Sequence, residues 1–284
     1  MDEQATTSTP PERDVAGFYD DISALLTELF GGSLHEGYWE SESDVSTMAE
    51  ASQRLTDLMA EKLRVGPGNT VLDIGCGTGA PAIRLARSTG AAVVGITNSP
   101  VQVEAAVRNA ENAGMDDQVR FRCEDATVLE YPAGSFDAVL MIESIFHLPD
   151  RTEALRQVAG VLKPGGRLAL TDILDRTSTP TRIDDLAGHS RSQGRSPLVA
   201  RPVRLQEYED LLGEAGLVPV ETADVSEHTV ARTIHCIRQK LHDDHDKLVE
   251  RFGAKAVQHY ASVVPLLEAA GFGYGIVVAA LPQR

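Results

Sequence analysis

The sequence predicts an α/β fold, a mostly parallel sheet with helices on both faces, and three observations carry that prediction. A glycine loop, Gly75-Cys76-Gly77-Thr78-Gly79-Ala80, sits between an apolar strand and a segment of helical period. Short apolar runs then alternate with amphipathic stretches from residue 69 to about 175, the pattern of parallel strands joined by crossover helices. The chain of 284 residues, 42% hydrophobic and 24% charged, is long enough for one large core with insertions.

Taken in order, residues 1–11 are polar, Thr-rich and end in Pro10-Pro11, which predicts a disordered tail. Residues 12–64 are expected to form an N-terminal helical segment that covers the ligand site. Within it Phe18, Ile22, Leu25, Leu26, Leu29 and Phe30 recur at helical spacing over 13–30, and Gly31-Gly32 stops the helix. After the loop "LHEGYWE", Leu55, Leu58, Met59 and Leu63 line a second helix. The main domain is expected over 65–284. Its strands are "TVLDIG", "AAVVGI", "QVRFRC", "FDAVLMIES" and "RLALTDIL", with helices at "APAIRLARS", "PVQVEAAVRNAENAG" and "TEALRQVAGVL" between them, and "KPGG" as a turn. Lid insertions are expected near 176–203 and 225–271. A helix near 204–215, the strand "GLVPVETA", a long helical stretch at 227–270 and the strand "YGIVVAAL" complete the chain.

Charge and cysteine usage narrow the function. With 26 Lys and Arg against 42 Asp and Glu the net charge is −16, a field that repels phosphate backbones and anionic bilayers. No nucleic-acid or membrane partner is expected; a small neutral or cationic molecule is. Cys76, Cys123 and Cys236 have no short spacing, which suits free thiols in a reducing cytoplasm. The start of the chain lacks the basic and apolar regions of a signal peptide. A monomer or a homodimer is expected.

Read literally, "GCGTGA" matches the G-x-G-x-x-A dinucleotide fingerprint. Two details oppose a dinucleotide. Asp73 stands at the end of the preceding strand, where a carboxylate repels a pyrophosphate and attracts a cation by a few kcal/mol at intermediate dielectric. Thr97 occupies the place, about 20 residues on, where a ribose-binding acid belongs. A cationic, phosphate-free nucleoside fits both departures. Asp73 as a cap of the next helix is the competing reading.

"VLDIGCGTG", "GITNSPVQ", "CEDATVL", "FDAVLMIESIFHL" and "LKPGGRLALTDI", in this order, resemble the class I S-adenosylmethionine-dependent methyltransferases, in particular small-molecule enzymes of bacterial natural-product pathways. The resemblance covers roughly residues 65–175 and extends more loosely to "YDD" near the start and to "LHEGYWE". It implies a Rossmann-like seven-stranded sheet with the last strand antiparallel, and S-adenosylmethionine as cofactor. It also implies contacts from Asp73, Gly75, Gly77 and Gly79, from Thr97, Asn98 and Gln102 around the ribose, and from Asp125 and Ala126 around the adenine. Ile142 is implied near the methionine part, with Tyr19 and Trp39 closing over it. Thr97 as a plain strand residue, Asp125 as a helix cap and Trp39 as an anchor of the N-terminal segment stay open.

Methyl transfer from a sulfonium needs alignment, exclusion of water and removal of a proton when the acceptor is a hydroxyl. His147, just past the fourth strand, is the expected general base, and Asp172 at the end of the next strand is expected to orient its imidazole. Glu143, His35, His228 and His235 are expected to touch substrate. His242 and His245 in "HDDHD" read as a solvated helix face, and no metal is expected. The expected reaction is O-methylation of a small natural product. N-methylation of an amine or C-methylation of an electron-rich carbon, by positioning alone, are the alternatives. A cofactor-binding module without catalysis and a nicotinamide-dependent reductase are the readings from other classes.

Overall fold

The computed structural model describes residues 15–176 and 200–283. The tail expected over 1–11 and most of the lid expected at 176–203 lie outside these residues. In chain order the elements are α1 (Val15–Leu29), α2 (Met48–Leu63), β1 (Thr70–Ile74), α3 (Ala80–Thr89), β2 (Ala92–Thr97), α4 (Pro100–Ala113), β3 (Val119–Cys123) and β4 (Phe136–Met141). They continue with a 3-10 turn (Ile145–His147), α5 (Arg151–Val161), β5 (Leu162–Asp175), α6 (Glu207–Glu214), β6 (Val218–Asp224), a 3-10 turn (Ser226–His228), α7 (Val230–Asp243), α8 (His245–Phe252), α9 (Ala254–Ala270) and β7 (Phe272–Ala280).

The strands form one seven-stranded sheet in the order β3-β2-β1-β4-β5-β7-β6. Strands β1 to β5 pair in parallel, and β7 runs antiparallel to both β5 and β6. The strand order reverses between β1 and β4, so the crevice beyond their carboxyl ends is the switch point where α/β sheets bind ligands.

Alternation along the strands builds two cores. Leu72, Ile74, Val139, Met141, Leu168 and Leu170 pack under α5 and α6. Val71, Val93, Ala138, Leu140, Ala169 and Ile276 pack under α2 and α3. A third cluster joins Ile22, Leu25, Leu26 and Leu29 of α1 to Ile234, Ile237 and Leu241 of α7, Leu248 of α8 and Val257 and Tyr260 of α9. The first helix therefore buries its apolar face on the α7–α9 layer. Thr47 caps α2 through a reciprocal capping box with Glu50, and Ser99 caps α4 by accepting from the Gln102 amide.

Two elements differ from the sequence expectation. The helical stretch at 227–270 is three helices, broken at Asp244 and at Gly253, whose φ is +84°. "KPGG" lies within β5, beside a register shift against β4 between Phe136 and Ala138; Gly165, at φ +78°, takes the irregularity. No described helix is long and apolar enough to cross a membrane.

Candidate active site

The glycine loop leaves β1 by a path that side chains obstruct. Gly75, Gly77 and Gly79 have φ of +79°, +53° and +84°, values that disfavour any residue with a Cβ. A Cβ on Gly75 would lie 2.3 Å from the Cβ of Ser144, and one on Gly79 would lie 2.5 Å from the Phe121 ring. The Gly75 and Cys76 amides both donate to Ile96 O, at 2.9 and 3.0 Å, which ties the loop to β2. Gly75→Ala should therefore destabilise the protein by about 2–5 kcal/mol, the left-handed backbone and the overpacking together. Urea unfolding, with a lowered midpoint at unchanged slope, checks it.

Asp73, just before this loop, is 2% exposed, and its Oδ2 is buried without a hydrogen-bond partner. Burial pushes its carboxyl up to about 7. An unpaired buried carboxyl oxygen beside a backbone lined by glycines fits a ligand with a cationic donor and no phosphate.

At the end of β2, Thr97 Oγ1 donates to Gln102 Oε1 at 2.7 Å, and Gln102 Nε2 donates to Ser23 Oγ of α1 at 3.0 Å. Ser99 Oγ donates to Asp20, also on α1. Thr97 and Gln102 thus sit together, bonded to each other and latched to α1. Asn98 is exposed beside them. Past β3, Asp125 is exposed, its Oδ1 accepting from the Thr127 amide at 2.8 Å, and Ala126 is half-buried next to it.

The chain beyond β4 gathers the acids and the imidazole. The side chain of Ile142 belongs to the core under α2 and α3. Glu143 follows with φ +51°, a backbone state that costs a non-glycine residue of order 1–3 kcal/mol and marks functional turns. Its amide donates to Thr171 Oγ1 at 3.0 Å. Its Oε1 accepts from the Glu36 amide at 2.6 Å and from the Tyr274 hydroxyl at 2.8 Å. Burial, then the neighbouring Glu143 charge, pushes the Glu36 carboxyl up to about 8. Burial likewise raises Glu143 to about 7, against the pull of its bonds to the Glu36 amide and Tyr274.

His147 Nε2 lies 3.0 Å from the Tyr19 hydroxyl, and the two rings meet edge to face at 5.4 Å. Phe146 packs against the imidazole at 4.3 Å between centroids. Burial, with the Glu143 charge, raises the Tyr19 phenol well above its ordinary range, so Tyr19 stays protonated.

Asp73, Glu36 and Glu143 hold protons in the fold that they release when unfolded, so stability falls as pH rises toward 8. His35, lowered to about 4 by burial, works in the opposite sense but only below its ordinary value near 6.5. Between pH 6.5 and 8 the acids act alone among these groups. The unliganded protein should lose melting temperature across that interval, as differential scanning calorimetry would show.

Four sequence assignments need correction, and a fifth falls elsewhere. Asp172 does not orient His147: its Oδ2 accepts from Arg151 Nε at 2.9 Å and from the Tyr208 hydroxyl at 2.6 Å. Its Oδ1 accepts from Arg151 at 3.2 Å and from the Ile173 amide at 2.8 Å. The side chain leaves β5 on the α5–α6 face, and the carboxylate completes a buried ion pair. Trp39 does not reach the cofactor crevice. It is buried with Met48 and Ala51, donates from Nε1 to Ser46 O at 2.9 Å and carries the Arg232 guanidinium over its ring at 5.2 Å. His35 is fully buried; its Nδ1 donates to Glu36 O at 2.9 Å while its Nε2 lies 3.2 Å from Thr56 Oγ1. His228 donates from Nδ1 to Trp39 O at 2.8 Å and stacks on Tyr38 at 5.0 Å, tying the aromatic loop to the start of α7. His235 is exposed, in an outer groove with Thr27, Met48 and Cys236.

Sequence reasoning missed Glu36, Thr233, Tyr260 and Tyr274. An acid inside the aromatic loop "LHEGYWE" was a signal for Glu36. Nothing in the local pattern distinguishes the two tyrosines from core residues.

Residues 71–166 match a family model described as "Methyltransferase domain". The chain is 44% identical over 220 residues to 27-O-demethylrifamycin SV methyltransferase of Amycolatopsis mediterranei, covering 78% of this chain and 79% of that one. It is 35% identical over 222 residues to O-methyltransferase resE of Aspergillus sclerotiorum, covering 78% and 82%. Among solved structures, the [4+2]-cyclase SpnF is 32% identical with a TM-score of 0.81, covering 97% of this chain and 98% of that one.

Proposed function

Because the chain belongs to the family of S-adenosylmethionine-dependent methyltransferases, we propose that it methylates a hydroxyl of a small natural product, with His147 as general base. The observation that carries this reading is the His147–Tyr19 contact of 3.0 Å beside the chain turn after β4. S-adenosylmethionine, when bound, supplies an electrophilic methyl group on a sulfonium. Asp73, with its unpartnered Oδ2, accepts from the amino group of the methionine part. Gly75, Gly77 and Gly79 let the backbone approach closely. Thr97 and Gln102, which bond each other at 2.7 Å, would hold the ribose diol together with Asn98. Asp125 and Ala126 would hold the adenine, and Ile142 the methionine part.

His147 receives the hydroxyl proton at Nε2, and the Tyr19 hydroxyl holds the ring until the acceptor arrives. Glu143 faces the acceptor from the other side. The N-terminal helix and the α7–α9 layer exclude water. The acidic chain acts in the cytoplasm on a small molecule, as a monomer or homodimer, with no nucleic-acid or membrane partner. The names of two relatives, one a 27-O-demethylrifamycin SV methyltransferase and one an O-methyltransferase, support oxygen as the acceptor atom.

A second reading comes from the solved structure titled a [4+2]-cyclase: the same scaffold closing a ring without transferring a methyl group. Incubation with cofactor labelled in its methyl group and with extracts of candidate biosynthetic pathways separates the two. Label on a product oxygen supports the proposal. Label on nitrogen or carbon moves it to the corresponding transfer, and a cyclised, unlabelled product overturns it.

A further inference from the structure

We propose that Glu36 and Glu143 together form the subsite for the sulfonium cation of S-adenosylmethionine, an assignment that rests on the methyl-transfer reading above. The two acids come from different elements and meet at the switch point. Glu143 lies one residue before Ser144, the side chain that a Cβ on Gly75 would strike at 2.3 Å, so it stands beside the glycine loop. Glu36 descends from the aromatic loop, and its amide donates to Glu143 Oε1 at 2.6 Å. The second carboxyl oxygen of Glu36, Oε2, is shut off from solvent and has no hydrogen-bond partner. Neither acid has an ion pair or hydrogen bond with Lys or Arg among the described residues.

Among the described residues, the neighbours that face the pair leave its charge uncompensated. Tyr274 of β7 donates to Glu143 Oε1 at 2.8 Å, and Thr171 of β5 accepts from the Glu143 amide at 3.0 Å. Thr233 of α7 accepts from the Gly37 amide at 3.1 Å, next to Glu36 in the chain. Tyr19 of α1, Tyr260 of α9 and Tyr274 are raised by burial and by these acids, and remain neutral phenols. His147 stands beyond Tyr19, and Asp73 of β1 adds a third acid to the crevice. Two half-buried acids held together through the Glu36 amide at 2.6 Å resist ionising together without a cation. In the free protein burial favours a retained proton, raising both carboxyls, and the Glu143 charge adds to the rise of Glu36.

A ligand cation replaces that proton. S-adenosylmethionine carries a sulfonium and an ammonium, whereas S-adenosylhomocysteine keeps only the ammonium. Asp73, which meets the ammonium, acts on both ligands alike and cancels from their ratio. The pair acts only on the methylated form. Its grip therefore weakens once the methyl group has gone, which favours product release.

The test is isothermal titration calorimetry of the full chain with each ligand at pH 6, 7, 8 and 9, in two buffers of different ionisation enthalpy. The ratio of the S-adenosylhomocysteine Kd to the S-adenosylmethionine Kd should rise about tenfold or more from pH 6 to 8 and level by 9. S-adenosylmethionine should release up to about one proton more than the product does. In the double variant Glu36→Gln, Glu143→Gln the ratio should be flat, with S-adenosylhomocysteine binding as the sign that the pocket persists. A flat ratio in the unmodified protein overturns the assignment, and does so even if the double variant fails to fold. A slope that survives in the double variant assigns the effect to another group and equally overturns it. Binding of neither ligand sinks the methyl-transfer reading itself.

Discussion

Arg151→Ala should lower the free energy of unfolding by about 3–5 kcal/mol, the cost of leaving a buried carboxylate without its partner. For a chain of this size that corresponds to a melting temperature lower by roughly 6–20 °C. Arg151 and Asp172 are 5% and 0% exposed at their side chains, and the Tyr208 hydroxyl donates to the same carboxylate. The group fastens α5 and α6 to β5, and Arg151 also donates to Arg201 O at 2.7 Å. Replacing both partners, Arg151→Met with Asp172→Leu, should recover much of the loss, because desolvation consumes most of what a buried pair gains. Calorimetry measures the loss, and activity per folded molecule should hold at temperatures below the transition. A normal melting temperature with a fallen kcat would return Asp172 to the catalytic machinery.

His147→Ala should lower kcat by about 10²–10⁴, the usual contribution of a positioned general base. Tyr19→Phe should cost less, on the order of tenfold, because it removes one hydrogen bond worth about 1 kcal/mol while the imidazole remains. Single-turnover transfer that is unchanged in His147→Ala across pH 6 to 9 removes His147 from the base role and favours an amine or carbon acceptor.

The element pattern was legible because strand and helix periods are local. Val71, Leu72 and Ile74 before Gly75, and the caps at Ser99 and Gly114, announce themselves within a few residues. The glycines and Asp73 were legible for a similar reason: a left-handed turn and a buried acid leave composition signals along the chain. The break of 227–270 at Asp244 was hidden by the continuous polarity of "HDDHD". Asp172 misled because strand parity decides its neighbours. Thr171 points to Tyr274 and Glu143, whereas Asp172 points the other way, to Arg151 and Tyr208.

By itself the sequence determined the α/β class, the place of the crevice after β1 and β4, and a cationic nucleoside as the ligand. Those follow from alternation, from three glycines with positive φ, and from one carboxylate at a strand end, all properties of short segments. Only the tertiary structure decided that His147 meets Tyr19, that His35 and His228 are tied to backbone carbonyls, that Trp39 packs with Met48 and Ala51, and that Glu36 stands against Glu143 from 107 residues away. A contact across that separation depends on how α1, the aromatic loop and the α7–α9 layer pack over the sheet, and packing between distant elements has no period in the chain that a reader could count.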